Sequence, residues 1–190
     1  MNPRPIEDMD EPVICTSGGR RFNLLNPCAA DVALEDIAHA LALTPRFGGH
    51  CTEFLSVAQH SILVADLVRV REPGSLAQQV ALLHDASEAY LVDMPAPIKR
   101  YLPDFKIIED RVQDIVFDAF GLAELARRLK PVIKAADTLA LQWEQRDFGP
   151  YGAWLTVADL DLPTISALEP GPAEAAFLDR FKEAAAHTRP

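Results

Sequence analysis

At 190 residues the chain has the length of one domain, and 49% hydrophobic against 24% charged residues is a globular balance that excludes disordered and collagen-like chains. Its 18 basic and 28 acidic residues leave a net charge of −10, which excludes a broad phosphate-tracking groove for duplex nucleic acid but leaves room for a local cationic pocket that takes a small nucleotide. Cys15, Cys28 and Cys51 cannot all pair and match no zinc-ribbon spacing, no secretory leader is evident, and no apolar run reaches the ~18 residues of a membrane span, so a reduced, cytoplasmic protein off the membrane is expected.

Residues 1–12, rich in proline and acids, read as a loose tail. Val13–Thr16 and Arg20–Leu24, joined through Ser17-Gly18-Gly19, predict a small β-hairpin. The rest reads as helix, giving an all-α single domain over residues 1–190. The first helix is expected over Asp31–Leu43, N-capped by Asp31 and stopped by Pro45, and Arg46-Phe47-Gly48-Gly49-His50 is expected as a loop. Thr52 is the expected cap of a long helix reaching about Val70, and Ser75 the cap of one reaching about Val92, with Pro95 and Pro97 forcing a break. A helix over Asp104–Phe120 should end at Gly121. A short helical piece over Leu122–Leu129 should precede a separate helix that starts at Pro131 and reaches about Arg146. Gly149–Gly171 reads as irregular, and a last amphipathic helix over about 171–188 carries Ala173, Phe177, Phe181 and Ala184 on one face.

Polar residues interrupt three apolar stripes. His60 stands among Val57, Val64 and Leu67, His84 among Leu76, Val80 and Leu91, and Asp137 among Ile133, Ala140 and Leu141. A lone histidine in such a stripe is ordinarily a hydrogen-bonded core residue, and a lone aspartate is ordinarily paired or near a helix end. Jointly the bland reading weakens, because an ionised buried Asp without a partner is costly, and one cation held by His60, His84, Asp85 and Asp137 satisfies all four groups. That mixed N/O set suits one divalent transition metal, Mn, Co, Zn, Fe or Ni. His84 and Asp85 diverge by about 100° on a helix, so both reach one ion only if it lies off their shared edge. Glu88, four residues after His84, either handles the proton of a metal-bound water or is a surface acid; Asp93 either caps a turn or takes part in catalysis. Arg46, Lys99 and Lys134 are the cations near these acids, and grouped around a metal they would clamp phosphate.

These residues resemble the HD-domain phosphohydrolase superfamily. The pattern is Arg46-Phe47, then His60 in SVAQHS, His84-Asp85 in ALLHDASEAYLVDMPAPIK, and Asp137 in IKAADTLALQWE. It is similar to the branch of bacterial 5′-deoxynucleotidases and phage dATP triphosphohydrolases, and the likeness covers about Asp36 to Glu144. Phe47 stands where the bacterial nucleotidases have tryptophan, and His39, His50 and His187 fall outside the helices where dinuclear members carry extra ligands. The resemblance implies an HD-domain helical bundle with His60, His84, Asp85 and Asp137 as ligands to one main metal, and a further Mg is allowed on a polyphosphate. It implies that Glu88 and Asp93 act on water and leaving group, with Arg46, Phe47, Lys99 and Lys134 at the substrate. The activity implied is hydrolysis of the 5′-phosphate ester of a (2′-deoxy)nucleoside mono- or triphosphate. The alternatives are hydrolysis of another phosphomonoester, or a non-catalytic helical module stabilised by metal. The expected partner is the nucleotide, with self-association left open.

Overall fold

Val13–Cys15 (β1) and Arg21–Asn23 (β2) pair as an antiparallel hairpin with Ile14 opposite Phe22. Its turn is fastened to the helical body by Asp36, whose carboxylate accepts hydrogen bonds from Thr16 Oγ1 at 2.8 Å, Ser17 Oγ at 3.0 Å and the Gly18 amide at 2.6 Å. A Cβ at position 18 would lie 2.6 Å from Asp36 Oδ1, so any larger residue there would have to displace the carboxylate that holds the turn. The computed structural model describes residues 12–72, 74–149 and 162–186; the expected tail before Pro12, much of the irregular stretch after Gly149 and the helix end at His187 lie outside the described residues.

Among the described residues eight α-helices follow: α1 (Leu34–Leu43), α2 (Val57–Arg71), α3 (Ser75–Leu82), α4 (Glu88–Leu91), α5 (Ala96–Lys99), α6 (Pro103–Ala119), α7 (Ala123–Phe148) and α8 (Pro170–Ala186). The fold is all-α apart from the hairpin, as the sequence predicts. Helix α2 lies at its centre, packed by α1, α3, α7 and α8. Ile37, Leu41, Val64, Val68, Val80, Leu82 and Phe177 belong to one continuous core. Ala173, Phe177, Phe181 and Ala184 of α8 are all buried, so that face seals the bundle. Phe22 of β2 stacks on Tyr90 of α4 with ring centroids 3.9 Å apart, which ties the hairpin to the segment carrying Glu88. No described helix is long and apolar enough to cross a membrane.

Several element boundaries differ from the sequence reading, each for a physical reason. Asp31 closes a 3-10 turn over Ala29–Asp31 and does not cap α1, because Val32 and Ala33 run extended before the helix begins at Leu34. Thr52 is drawn away to the end of α7, its N–H donating to the Phe148 carbonyl at 3.0 Å. Ser56 takes the capping role, its Oγ accepting from the Gln59 N–H. Ser75 is the first residue of α3, with Gly74 as the cap. The helix expected to reach Val92 stops at Leu82 and resumes at Glu88. Pro131 starts no new helix: α7 runs unbroken from Ala123 to Phe148 with Pro131 inside it. An interior proline costs ~3 kcal/mol, and α7 offsets that by burying one continuous face on both sides of it, from Ala126 and Leu129 to Ile133, Ala136 and Ala140. Gly121 ends α6 in the left-handed conformation, φ 67°, as predicted.

Candidate metal centre

The centre forms where α2, the α3–α4 turn and α7 meet. His60, in the second turn of α2, is wholly buried, and its Nδ1–H donates to Glu144 Oε1 at 2.7 Å. His84 directs Nδ1–H to the Ala81 carbonyl at 2.7 Å. A carbonyl only accepts, so the His84 Nδ1 carries the hydrogen and the neutral ring keeps its lone pair on Nε2. Nε2 of both His60 and His84 is buried and has no hydrogen-bond partner among the described residues. Both orphaned atoms face Asp85: His84 Nε2 lies 3.2 Å and His60 Nε2 3.6 Å from Asp85 Oδ2. One donor atom from each of His60, His84 and Asp85 falls within 4.8 Å of the others, a group able to hold a metal ion. Two imidazoles oriented through Nδ1, with Nε2 atoms converging beside a carboxylate, are the donor set a borderline cation takes, and on His60 such a cation would displace the proton that the raised ring pKa leaves on Nε2. Asp137 on α7 lies beside this group, with Oδ1 3.4 Å from His60 Nε2, but is not one of the three residues whose donor atoms all fall within 4.8 Å.

The segment bearing His84 and Asp85 is not helical. Hydrogen bonds there run three residues back, from His84 N to Ala81 O, Ala86 N to Leu83 O and Glu88 N to Asp85 O. Within this turn the side chains of the two adjacent residues meet, His84 Nε2 lying 3.2 Å from Asp85 Oδ2.

Charge is concentrated here. Burial disfavours a charged His60, but the Glu144 carboxylate outweighs burial and pushes the ring up to about 9. Burial likewise opposes ionisation of Asp85, yet His84, His60 and Arg46 hold it well below the usual carboxylate range. Against the same opposition, His60, His84 and Lys134 hold Asp137 low. Glu88, with 6% of its surface exposed, is no surface acid: burial, with Asp85 and Asp93 beside it, pushes its carboxyl up to about 10. Its Oε2 is buried without a partner. Asp93 is raised by burial and by Asp85, with Arg46 working against both. It follows Val92, a β-branched residue held at φ 77°, a conformation that costs of order 1–3 kcal/mol.

Of the cations, Arg46 is buried at the centre, with Nη2 donating to Glu144 Oε2 at 3.0 Å and Nη1 3.8 Å from Asp93. Its loop is closed by Arg46 N–H to Leu55 O and Val57 N–H to Thr44 O. The turn is left-handed at Phe47, φ 55°, and the Arg46 guanidinium lies 5.3 Å from the centroid of the Phe47 ring. A cavity of about 230 Å³ opens beside it, lined by Arg46, Cys51, Thr52 and Phe54. Lys99 is drawn to Glu109 of α6 at 2.7 Å, while still within electrostatic reach of Glu88 and Asp85. Lys134 is 75% exposed and reaches the centre only through Asp137 Oδ2, at 2.8 Å. The sequence reading gave no role to Glu144. It is wholly buried and joins His60 to Arg46, and its signal was available: it lies seven residues after Asp137, two turns along the same inward face.

No family model matches the chain. The uncharacterized protein YfdR of Escherichia coli (strain K12) is 35% identical over 175 residues, which cover 90% of this chain and 94% of YfdR. The uncharacterized protein RCAP_rcc00048 of Rhodobacter capsulatus is 42% identical over 132 residues, 66% of this chain and 67% of that protein. With identity at that level across nearly the whole of both chains, this protein belongs to the family of YfdR.

Proposed function

We propose that the protein is an HD-domain phosphohydrolase that cleaves the 5′-phosphate ester of a (2′-deoxy)nucleoside mono- or triphosphate, releasing nucleoside and phosphate or triphosphate. The observation that carries this reading is the pair of histidines fixed through Nδ1 with orphaned Nε2 atoms facing Asp85. His60, His84, Asp85 and Asp137 would hold one divalent transition metal. Such a cation, when bound, supplies a Lewis acid and a water of lowered pKa.

Glu144, Asp93 and Asp85 act on the buried guanidinium of Arg46, while Asp85 and Asp137 flank His60 Nε2, so acids outnumber cations in the centre and it favours a cation over a phosphate. Once that charge is balanced, Arg46 is free to donate to phosphoryl oxygens, the interaction that strengthens as charge develops on them. Glu144 and Asp93 hold the guanidinium in place from two sides. Lys99 and Lys134 add positive charge at the rim. Glu88 Oε2, buried and unpartnered, is the atom at which a proton is held or moved between attacking water and leaving oxygen. The cavity beside Arg46 offers the nucleoside a place next to the phosphate grip.

The test is a panel of mono- and triphosphate nucleotides and deoxynucleotides, each with Mn²⁺, Co²⁺, Zn²⁺ or Mg²⁺, and products resolved by chromatography. Metal-dependent release of phosphate or triphosphate, abolished by chelator, is expected. Metal-loaded protein that cleaves none of the panel refutes the reading.

A further inference from the structure

The backbone between α3 and α4 is interrupted by a side chain. In a continuous helix the Ser87 N–H would donate to the Leu83 carbonyl four residues back. Here the Ser87 N–H donates to Gln113 Oε1 at 3.0 Å, and Gln113 Nε2–H donates to the Leu83 carbonyl at 2.7 Å. The carboxamide of Gln113, on α6, is inserted between the two partners of one helical hydrogen bond and satisfies both. Side-chain insertion of this kind is a recognised cause of a break in a helix. The two residues it spans, Leu83 and Ser87, bracket His84 and Asp85.

We infer that Gln113 is a positioning residue for the metal centre: by holding this ladder bond open, it keeps His84 and Asp85 in the turn that aims both at one cation. The inference rests on the metal reading of the site and is independent of nucleotide hydrolysis. The carboxamide carries a donor and an acceptor on one planar head and so fills both partners. Its loss lets the Ser87 N–H return to the Leu83 carbonyl, rewinding the turn as α-helix and shifting His84 and Asp85 from the placement that sets Nε2 and Oδ2 3.2 Å apart.

The test uses the full chain, titrated with Co²⁺ or Zn²⁺ alone, with thermal unfolding measured on the metal-free protein. Gln113→Leu removes both hydrogen bonds; Gln113→Glu keeps an acceptor for Ser87 and loses the donor to Leu83. Metal affinity should fall about 10–100-fold in Gln113→Leu and less in Gln113→Glu, with an altered Co²⁺ visible spectrum in folded protein. A purely structural residue would lower the unfolding temperature and leave the affinity and spectrum of the folded protein unchanged. Unchanged affinity in both variants overturns the inference, as does failure of both to fold. Wild type that binds metal but cleaves no nucleotide removes the proposed activity and leaves this inference standing. Wild type that binds neither cation overturns both.

Discussion

Replacing Glu144 by Gln changes almost no volume, yet it removes the one negative charge shared by a histidine and a guanidinium in a fully buried position. The carboxylate accepts two charge-assisted hydrogen bonds, from His60 Nδ1 at 2.7 Å and Arg46 Nη2 at 3.0 Å. The amide of Gln can accept only one of them, and its NH₂ then faces the other donor. Bonds to charged groups contribute about 1.5–3 kcal/mol each, and stranding one partner of a buried pair costs about 3–5 kcal/mol. No discount for solvent screening applies, since Glu144 is wholly buried and Arg46 nearly so. At about 2–4 °C per kcal/mol for a chain of this size, the unfolding temperature should fall by about 6–20 °C. Metal affinity should fall about 10–100-fold as the His60 ring loses its anchor. Calorimetry on metal-free protein gives the first quantity, and metal titration of folded protein the second. A Glu144→Gln variant with wild-type unfolding temperature and wild-type metal affinity would refute the claim that this carboxylate organises the centre.

Glu88→Ala should keep its metal and lose about 10²–10⁴-fold in turnover, read by elemental analysis and steady-state kinetics on the same preparation; near-normal turnover would make Glu88 a bystander. Arg46→Ala should lower kcat/KM more than Lys99→Ala, and Lys134→Ala least, because Arg46 is buried at the centre and Lys134 is largely exposed; the reverse order would move the phosphate site. Asp36→Asn should destabilise the fold by about 1–3 kcal/mol near neutral pH. Although burial opposes it, the bonds from Thr16, Gly18 and Ser17 lower the folded pKa of Asp36. That stabilisation is therefore present above the unfolded value of about 3.9 and lost as pH falls through the folded one. Urea melts of wild type and variant should differ at pH 7 and converge under acid; a gap that persists in strong acid would contradict the assignment.

What was legible in the sequence follows from what is local. The hairpin, most helices and the sealing face of α8 are written in turn residues and apolar periodicity, and the inward placement of His60 and His84 follows from the same count. The break at His84-Asp85 was hidden because its cause, Gln113, lies on α6, a separate helix. The continuity of α7 was hidden because a proline reads locally as a start, whereas burial along the whole face decides the matter. Thr52 and Ser56 are equally good caps by composition; the Phe148 carbonyl, far along the chain, chooses between them. Glu144 carries a helical-phase signal, but its importance depends on Arg46, which a loop brings in from a distant part of the sequence.

The central claim is that His60, His84, Asp85 and Asp137 hold a cation on which phosphate-ester hydrolysis depends. Elemental analysis of purified wild type, Asp85→Ala and Asp137→Ala, run beside an assay for phosphate release from a deoxynucleotide, tests it most directly. About one transition metal per chain is expected in the wild type. Both variants should lose the metal and the phosphate release together while keeping the helical circular-dichroism signal. Undiminished metal content in both folded variants would contradict the account.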